Sequence, residues 1–254
     1  MNLAGAHVVI TGAAGGIGAA LARRFGAEGA RAVVVSDVVV PVAPVAPPIR
    51  FTHCDVTQRE QLQSLIDDAE AAAGPIDLFC SNAGIIGGVG LHASDDEWRR
   101  VIDINVMAHV WAAQILVPRM IERGGGHLLN TASAAGLLTQ LGSAPYAVTK
   151  HAAVALAEWL AITYGAQGLG VSVLCPQAVR TNMTAGTDEG GVAGVDGMIE
   201  ADDVADAAVA GLREDAFLIL PHPQVGEYFR RKATDYERWI RGMRRLQERF
   251  PTGF

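Results

Sequence analysis

Thr11-Gly12-Ala13-Ala14-Gly15-Gly16-Ile17-Gly18 is a glycine-rich turn near the start of the chain. The apolar run from His7 to Ile10 before it predicts a strand, and residues 16–28 predict a helix. Glycines at such a junction let the backbone turn tightly and approach a pyrophosphate, whose charge the helix N-terminus meets. The spacing is Gly-xxx-Gly-x-Gly, not the more common Gly-x-Gly-xx-Gly, so a tight turn without a ligand is the alternative at this point.

Strand-like and helix-like runs alternate from this turn onward. Strands that are apolar on both faces and separated by helices predict an α/β, Rossmann-type, doubly wound parallel sheet of about seven strands, with helices on both faces. The predicted strands are residues 7–10, 32–36, 50–53, 76–81, 127–131, 171–175 and 217–220. The predicted helices are residues 16–28, 58–73, 103–123 and 145–164, and Ser94 with Glu97 forms a capping box that opens another.

The composition fits one domain over residues 1–254. Half of the 254 residues are hydrophobic and 19% are charged, and no repeat or linker divides the chain. The net charge of −7 argues against nucleic acid or an anionic membrane as the main partner. The most apolar stretch, residues 31–48, is interrupted by Asp37 and four prolines, so we expect no integral membrane segment.

The cysteines Cys54, Cys80 and Cys175 are widely spaced in apolar runs. They form no CxxC motif, and neither they nor the seven histidines show metal-ligand spacing. We therefore expect buried thiols in a reducing compartment, a cytoplasmic location and no metal site.

Asp37 closes the second predicted strand about twenty residues after the glycines. An acid at this position accepts hydrogen bonds from the adenosine ribose hydroxyls and repels a 2′-phosphate. Residues 38–48 contain no Arg or Lys that would bind such a phosphate. The sequence therefore predicts NAD as the cofactor, with NADP less favoured.

Tyr146 and Lys150 are four residues apart, so on a helix they lie on one face. A phenol has an ordinary pKa of about 10, and a cation one turn away favours the phenolate and lowers that pKa. Together with the glycine turn, the pair indicates proton transfer coupled to a bound cofactor.

These motifs together resemble the short-chain dehydrogenase/reductase family over residues 5–220. The glycine turn resembles the family's TGxxxGIG motif, and Ser81-Asn82-Ala83-Gly84 resembles its NNAG motif with Ser for the first Asn. Residues 176–181 resemble its PG-xxT segment, but Gln177 replaces the glycine. The catalytic tetrad of the family is matched by Asn105, Ser133, Tyr146 and Lys150.

The resemblance implies a role for each member of this tetrad. Tyr146 would be the general acid/base that exchanges a proton with an alcohol or ketone while hydride passes to or from the nicotinamide. Ser133 would hydrogen-bond the substrate oxygen, and Lys150 would also bind the nicotinamide ribose. Asn105 would position a water that links Lys150 to solvent.

The resemblance also implies the residues that bind the cofactor. Asp55 would contact the adenine ring, with Val56 beside it. The full expected set is Gly12, Gly15, Gly16, Ile17, Gly18, Asp37, Asp55, Val56, Asn82, Ala83, Gly84, Tyr146, Lys150, Pro176, Val179 and Thr181.

The expected substrate pocket is mostly apolar. Its expected lining is Ile86, Ala135, Leu138, Gln140, Gln177 and Met183, with Ile85 and Leu137 nearby and a loop over residues 181–199. Because these residues include no Arg or Lys, a hydrophobic secondary alcohol or ketone is favoured over a charged substrate. Gln177 would either contact substrate or be a tolerated loop residue.

A basic, helical extension from about Pro223 lies outside the family pattern. Its apolar stripe favours a subunit interface or a cover over the substrate loop, whereas its interleaved acids weigh against lipid binding. The resemblance implies a homotetramer or homodimer.

The function predicted is that of an NAD-dependent oxidoreductase acting on a hydrophobic secondary alcohol or its ketone. Two alternatives remain at this point. One is an NADPH-dependent keto-reductase of the acyl-carrier type, and the other is a non-catalytic protein that senses NAD(H) by binding it.

Overall fold

Seven parallel strands form one sheet in the computed structural model, which describes residues 1–41, 46–186 and 188–250. In chain order they are β1 (His7–Thr11), β2 (Ala32–Asp37), β3 (Ile49–His53), β4 (Leu78–Ser81), β5 (Gly126–Thr131), β6 (Leu169–Leu174) and β7 (Leu218–Ile219). Their order across the sheet is β3-β2-β1-β4-β5-β6-β7. The predicted α/β, Rossmann-type, doubly wound sheet is confirmed.

Helices cover both faces of this sheet. They are α1 (Gly16–Ala27), α2 (Arg59–Ala73), α3 (Asp95–Ile102), α4 (Ala108–Glu122), α5 (Ala135–Leu138), α6 (Ala144–Tyr164), α7 (Ala201–Arg213), α8 (Gln224–Thr234) and α9 (Tyr236–Arg249). A π-helical turn, Asp103–Met107, joins α3 to α4 without a break. The sequence prediction omitted α5 and α7.

The strands bury side chains on both faces, which explains their continuous apolar runs. In β1, Val8 and Ile10 belong to a core cluster with Leu21 and Phe25 of α1, whereas Val9 belongs to a second cluster against α2, α4 and α6. α7 packs beside α1, and its buried Val204, Ala208 and Leu212 recur at helical spacing. That spacing would have predicted α7 from sequence.

Helix starts follow local side-chain chemistry. Ser94 caps α3 as predicted, because its hydroxyl accepts from Glu97 N and its own N–H donates to the Glu97 carboxylate. Ser143 caps α6 in the same way by accepting from Tyr146 N at 3.3 Å. Ser143 also donates to the carbonyl of Ile86, so the cap fixes α6 against the segment that follows β4.

The basic extension forms two helices that pack on the domain. Val225 of α8 is fully buried in the core, and Lys232 Nζ donates to the carbonyl of Leu137 in α5 at 2.6 Å. Asp235 separates the helices and caps α9 by accepting from Arg238 N at 2.9 Å. The extension is therefore attached to the sheet domain through α5.

One helical stretch, Asp95–Glu122, is long and apolar enough to cross a membrane by length and composition among the described residues. Half of its most apolar window is buried inside the protein. A helix of the protein core passes the same criterion, so this stretch is weak evidence for a membrane span.

Gly136 allows α5 to pack closely against α6, and an alanine at this position would obstruct that contact. A Cβ at this position would lie 2.8 Å from the Lys150 carbonyl carbon and 2.9 Å from Val154 Cγ2. We expect Gly136→Ala to push α5 away from α6 and lower the free energy of unfolding by about 1–3 kcal/mol. Thermal unfolding would show this as a melting temperature lower by several degrees.

Gly165→Ala is the matched control for this substitution. Gly165 has helical dihedral angles, and no atom lies within 4 Å of a Cβ built there. The control should be neutral or slightly stabilising. An equal loss of stability in both variants would contradict the proposed crowding.

Candidate active site

The site lies at the carboxyl ends of the central strands. The chain order of the sheet reverses between β1 and β4, which makes this pair the topological switch point where open α/β sheets bind ligands. The glycine turn follows β1, and Asn82 to Gly84 follow β4. Ser133 follows β5, and Pro176 to Thr181 follow β6.

Two glycines of the turn permit backbone contacts that a side chain would block. A Cβ on Gly12 would lie 2.5 Å from Ala83 Cα, and one on Gly18 would lie 2.5 Å from the Gly12 carbonyl oxygen. Gly15 differs, because a Cβ there would meet no atom within 4 Å. The turn is therefore tightly packed at Gly12 and Gly18, whereas the space beside Gly15 is open.

The N-terminus of α1 has no side-chain cap and no acidic residue in its first turn. Its backbone N–H groups and helix dipole therefore favour an anion. With the open space beside Gly15, this arrangement fits the pyrophosphate of a dinucleotide. Thr181 lies across the turn, since its Cγ2 would be 3.2 Å from a Cβ on Gly16.

Asn82 connects the two strands that flank the switch point. Its amide nitrogen donates to the carbonyls of Thr11 and Gly12, both at 3.0 Å. The hydroxyl of Thr11 in turn accepts from the backbone of Asn82 and Ala83. These bonds place Asn82 as a support for the turn.

The Asp37 carboxylate lies against the glycine turn. Its Oδ2 accepts from Ala14 N at 3.0 Å, and its Oδ1 accepts from Val39 N at 3.3 Å. Asp55 is used locally, because its Oδ1 accepts from both the backbone and the hydroxyl of Thr57. Val56 beside it is buried.

Lys150 and Tyr146 lie together on α6 as predicted from their spacing. The Lys150 ammonium is 5.6 Å from the centre of the Tyr146 ring and donates to the Thr131 carbonyl of β5 at 3.0 Å. The Ser133 side chain is close enough to the Tyr146 phenol to lower its pKa. The Ser133 hydroxyl also donates to the Pro176 carbonyl at 3.4 Å and accepts from Ala135 N at 3.1 Å.

Burial dominates the electrostatics of this pair. It raises the pKa of Tyr146 above its usual value, although the Ser133 side chain lowers it. Burial also lowers the pKa of Lys150 to about 8. The sequence predicted a lowered Tyr146 pKa, and the structure shows the opposite, because the desolvation of a fully enclosed phenol is the larger effect.

Asn105 lies in the π-helical turn and holds two segments of the site together. Its Oδ1 accepts from Ile85 N and its Nδ2 donates to the Ile85 carbonyl, both at 2.9 Å. The Nδ2 also donates to the Thr149 hydroxyl at 3.0 Å. A Cβ on Gly84 would lie 3.3 Å from Lys150 Nζ and 3.4 Å from Asn105 Oδ1, so Gly84 leaves the space between them open.

A cavity of about 1440 Å³ opens beside Ser133 and Tyr146. Its volume exceeds the range of about 300–1,000 Å³ usual for small-ligand pockets. All six residues expected in the substrate pocket line it, namely Ile86, Ala135, Leu138, Gln140, Gln177 and Met183. Ile85 and Leu137 do not line it; they bond to Asn105 and Lys232 instead.

The substrate loop predicted over residues 181–199 contributes a second part of the wall. It contains a 3₁₀ turn, Asp188–Gly194, and Thr187 lies outside the described residues. Its cavity-lining residues are Met183, Thr184, Gly190, Gly191, Val192, Ala193, Val195 and Asp196.

Residues of α8 and α9 form a further wall of the cavity, and their charges contradict one expectation from the sequence. The sequence predicted a pocket without Arg or Lys, and this is wrong. Five arginines line the cavity, namely Arg230, Arg231, Arg238, Arg245 and Arg249. They were missed because the segment that carries them lies far along the chain and outside the family pattern, and only tertiary packing brings it to the site.

Asp196 connects the substrate loop to both neighbouring walls. It accepts from Gln177 Nε2 at 3.2 Å and from the Tyr228 hydroxyl of α8 at 2.9 Å. Gln177 thus has a structural partner, but its Oε1 is buried and accepts no hydrogen bond from the described residues. The His222 ring also accepts from Gln177 N at 3.2 Å.

No group of three or more His, Cys, Asp or Glu side chains lies close enough to hold a metal ion in residues 1–41, 46–186 and 188–250. Cys54, Cys80 and Cys175 are buried free thiols, as predicted.

Comparisons with known proteins agree with this fold. Residues 6–190 match the family model described as short chain dehydrogenase. The chain therefore belongs to the short-chain dehydrogenase/reductase family, and it is an oxidoreductase.

Two characterised relatives are dehydrogenases. The 1-deoxy-11-beta-hydroxypentalenate dehydrogenase of Streptomyces exfoliatus is 37% identical over 231 residues, which cover 86% of this chain and 84% of the relative. The meso-2,3-butanediol dehydrogenase of Serratia marcescens is 36% identical over 185 residues, which cover 70% of this chain and 73% of the relative.

A solved structure shows the same fold. A short-chain dehydrogenase/reductase from Burkholderia phymatum in complex with NAD superposes with a TM-score of 0.82 at 29% identity. The match covers 93% of this chain and 96% of that protein.

The buried Lys150 ammonium should destabilise the folded state. Since its folded pKa of about 8 lies below the unfolded value of 10.5, the unfolded chain binds more protons between these pH values, and stability rises with pH there. We expect Lys150→Met to raise the free energy of unfolding at pH 7 by up to about 3 kcal/mol. The gain should shrink from pH 8 to pH 10.5 in denaturant titrations.

Thr163→Met is the control for this substitution, because it places the same side chain on an exposed position of α6. Its effect should be small and independent of pH. A Lys150→Met variant whose stability difference from the unsubstituted protein is constant from pH 6 to pH 10.5 would contradict the assignment.

Proposed function

We propose that this protein is an NAD-dependent dehydrogenase that interconverts a hydrophobic secondary alcohol and its ketone, with Tyr146 as the general acid/base. The observation that carries the proposal is the convergence of Ser133, Tyr146 and Lys150 at one cavity beside the glycine turn. Hydride chemistry belongs to the nicotinamide, and the protein supplies orientation and proton transfer.

The proton path begins at the substrate oxygen. In the oxidation direction the phenolate form of Tyr146 would take the hydroxyl proton of the substrate, and the nicotinamide, when bound, would supply the acceptor for the hydride. Ser133 lines the cavity beside Tyr146 and would orient the substrate oxygen by hydrogen bonding it. The reverse transfers reduce the ketone.

Lys150 has two tasks in this proposal. Its ammonium, 5.6 Å from the centre of the Tyr146 ring, would favour the phenolate form of Tyr146 against the burial that disfavours it. It would also bind the nicotinamide ribose when the cofactor is present. The open space at Gly84, between Lys150 and Asn105, would admit a water that passes the proton on. Asn105 is then a positioning residue, because its amide also holds Ile85 and α6 in place.

NAD is the proposed cofactor because of Asp37. Its carboxylate is held at the glycine turn by Ala14 N, where it would accept bonds from the ribose hydroxyls and repel a 2′-phosphate. The uncapped N-terminus of α1 would take the pyrophosphate. The proposed cofactor contacts at the other end are Pro176, Val179 and Thr181, after β6.

The relatives support an alcohol as substrate. One acts on a compound named as a hydroxylated carboxylate, and another acts on a small secondary diol. The cavity of about 1440 Å³ favours the bulkier kind. Six residues that line the cavity are the proposed substrate contacts, namely Ile86, Ala135, Leu138, Gln140, Gln177 and Met183.

A homo-oligomer, a homotetramer or homodimer, is part of the proposal. Val148, Trp159 and Ile162 are exposed on α6, where they lie near one stripe of the helix. An apolar stripe of this kind favours burial against another copy of the chain. We also propose that residues 1–254 act as one domain and that the protein is cytoplasmic.

Tyr146→Phe tests the proposed acid/base. Removing the hydroxyl removes the proton acceptor, so we expect kcat for secondary alcohols with NAD⁺ to fall by about 10²–10⁴-fold. NADH binding, followed by its fluorescence, should be retained. The readout of turnover is the absorbance of NADH in a panel of secondary alcohols and ketones.

Tyr164→Phe is the matched control, because it removes a phenol hydroxyl near the end of the same helix, away from the cavity wall. It should leave kcat unchanged. Full turnover by Tyr146→Phe would refute the mechanism. NADH binding by the unsubstituted protein without turnover of any substrate would favour the non-catalytic sensor.

Asp37→Ser tests the cofactor preference. The substitution removes the repulsion of a 2′-phosphate and the acceptor for the ribose hydroxyls. We expect kcat/KM for NAD⁺ to fall at least about tenfold and the NAD⁺/NADP⁺ preference to shrink. Asp68→Ser, on the exposed side of α2, should change neither value. A preference for NADPH in the unsubstituted protein would support the keto-reductase alternative.

A further inference from the structure

The cavity beside Ser133 and Tyr146 has a strongly basic wall. α8 and α9 contribute five arginines to its lining and two acids, Glu227 and Asp235. The substrate loop adds one acid, Asp196. This excess of positive charge is unusual in a chain whose net charge is −7.

The acids of this wall are already engaged. Asp196 accepts from Gln177 and Tyr228, and Asp235 caps α9. Glu227 pairs with Arg231, one turn along α8. Their three negative charges offset part of the positive charge of the five arginines, which leaves the lining with an excess of two positive charges.

Three cavity-lining arginines of α9 have no such partner, and one of them, Arg249, lies 5.9 Å from the centre of the Phe250 ring at the end of the helix. Arg238 and Arg245 form no ion pair with any side chain of the described residues, and both line the cavity. They are seven residues apart, so they lie on one face of the helix, about 10 Å from each other along its axis. Arg241 and Arg244 of the same helix do not line the cavity.

Gly242 opens a gap between these two arginines. It also lines the cavity, and a Cβ there would meet only Arg245 Nη2, at 3.8 Å. A glycine inside a helix is less favourable than alanine by about 0.5–1 kcal/mol. Its place between two arginines leaves room for a ligand group to reach both guanidinium groups.

We propose that the substrate carries a carboxylate remote from its reacting hydroxyl, and that Arg238 and Arg245 bind this carboxylate. The inference rests on the proposed function, since it places the hydroxyl at Tyr146. A guanidinium presents paired N–H donors that match the two oxygens of a carboxylate. The mainly apolar part of the cavity, between Tyr146 and the two arginines, then binds the hydrophobic body of the substrate.

Matched pairs of acid and ester test the site. The probes are cis-4-hydroxycyclohexanecarboxylate and the longer lithocholate, each with its methyl ester, assayed with NAD⁺. The unsubstituted protein should prefer the acid of at least one pair by tenfold or more in kcat/KM. Arg238→Gln/Arg245→Gln should lose this preference by about 10–100-fold through KM, with kcat and the ester kinetics unchanged.

Arg241→Gln/Arg244→Gln is the control, because it removes the same charge from the same helix outside the cavity. It should keep the preference for the acid. An ester used as well as its acid in both pairs, or a loss of preference equal in the control, would overturn the inference. So would thermal stabilisation by inorganic phosphate that exceeds that by either acid.

Binding without turnover separates this inference from the proposed function. The melting temperature is measured with each acid and each ester. If no alcohol is oxidised but an acid stabilises the unsubstituted protein and not Arg238→Gln/Arg245→Gln, the carboxylate site stands and the proposed reaction fails. If esters and acids are oxidised equally, the reaction stands and the carboxylate site fails.

Discussion

The close contact between the turn after β1 and the segment after β4 is the constraint on which the site depends. Gly12 lies against the backbone of Ala83, where no side chain fits, and Asn82 donates to both Thr11 and Gly12. This contact joins the two segments that flank the topological switch point between β1 and β4. As a result the N-terminus of α1 and the Asp37 carboxylate meet at one edge of the sheet, which is where a dinucleotide would be bound.

A second close contact sets the proton-transfer groups. Gly136 lets α5 approach the Lys150 backbone, so that Ser133 reaches Tyr146 while Lys150 reaches the Thr131 carbonyl. The enclosure that this packing creates raises the pKa of Tyr146 and lowers that of Lys150. The Lys150 ammonium is thus held beside the phenol at the expense of stability at neutral pH, which is common where side chains serve function.

The C-terminal helices form one wall of the cavity. Lys232 fastens α8 to Leu137, and Tyr228 fastens it to Asp196 of the substrate loop. Through these bonds the loop, Gln177 and α8 form one hydrogen-bonded unit. The basic residues of α9 consequently lie beside the apolar lining residues. They give the cavity a positive charge that the segments after β4, β5 and β6 do not supply.

The sequence by itself determined the sheet, the glycine turn, the Ser94 cap and the spacing of Tyr146 and Lys150, because each depends on residues near one another in the chain. The six expected residues that line the cavity could also be named from sequence, since each lies within ten residues of the end of β4, β5 or β6. Tertiary structure alone decided the burial that shifts the two pKa values, the linkage through Asp196 and the approach of Arg238 and Arg245 to the cavity. Desolvation and contacts between distant segments depend on how the whole chain is packed. They therefore cannot be predicted from a local pattern of residues.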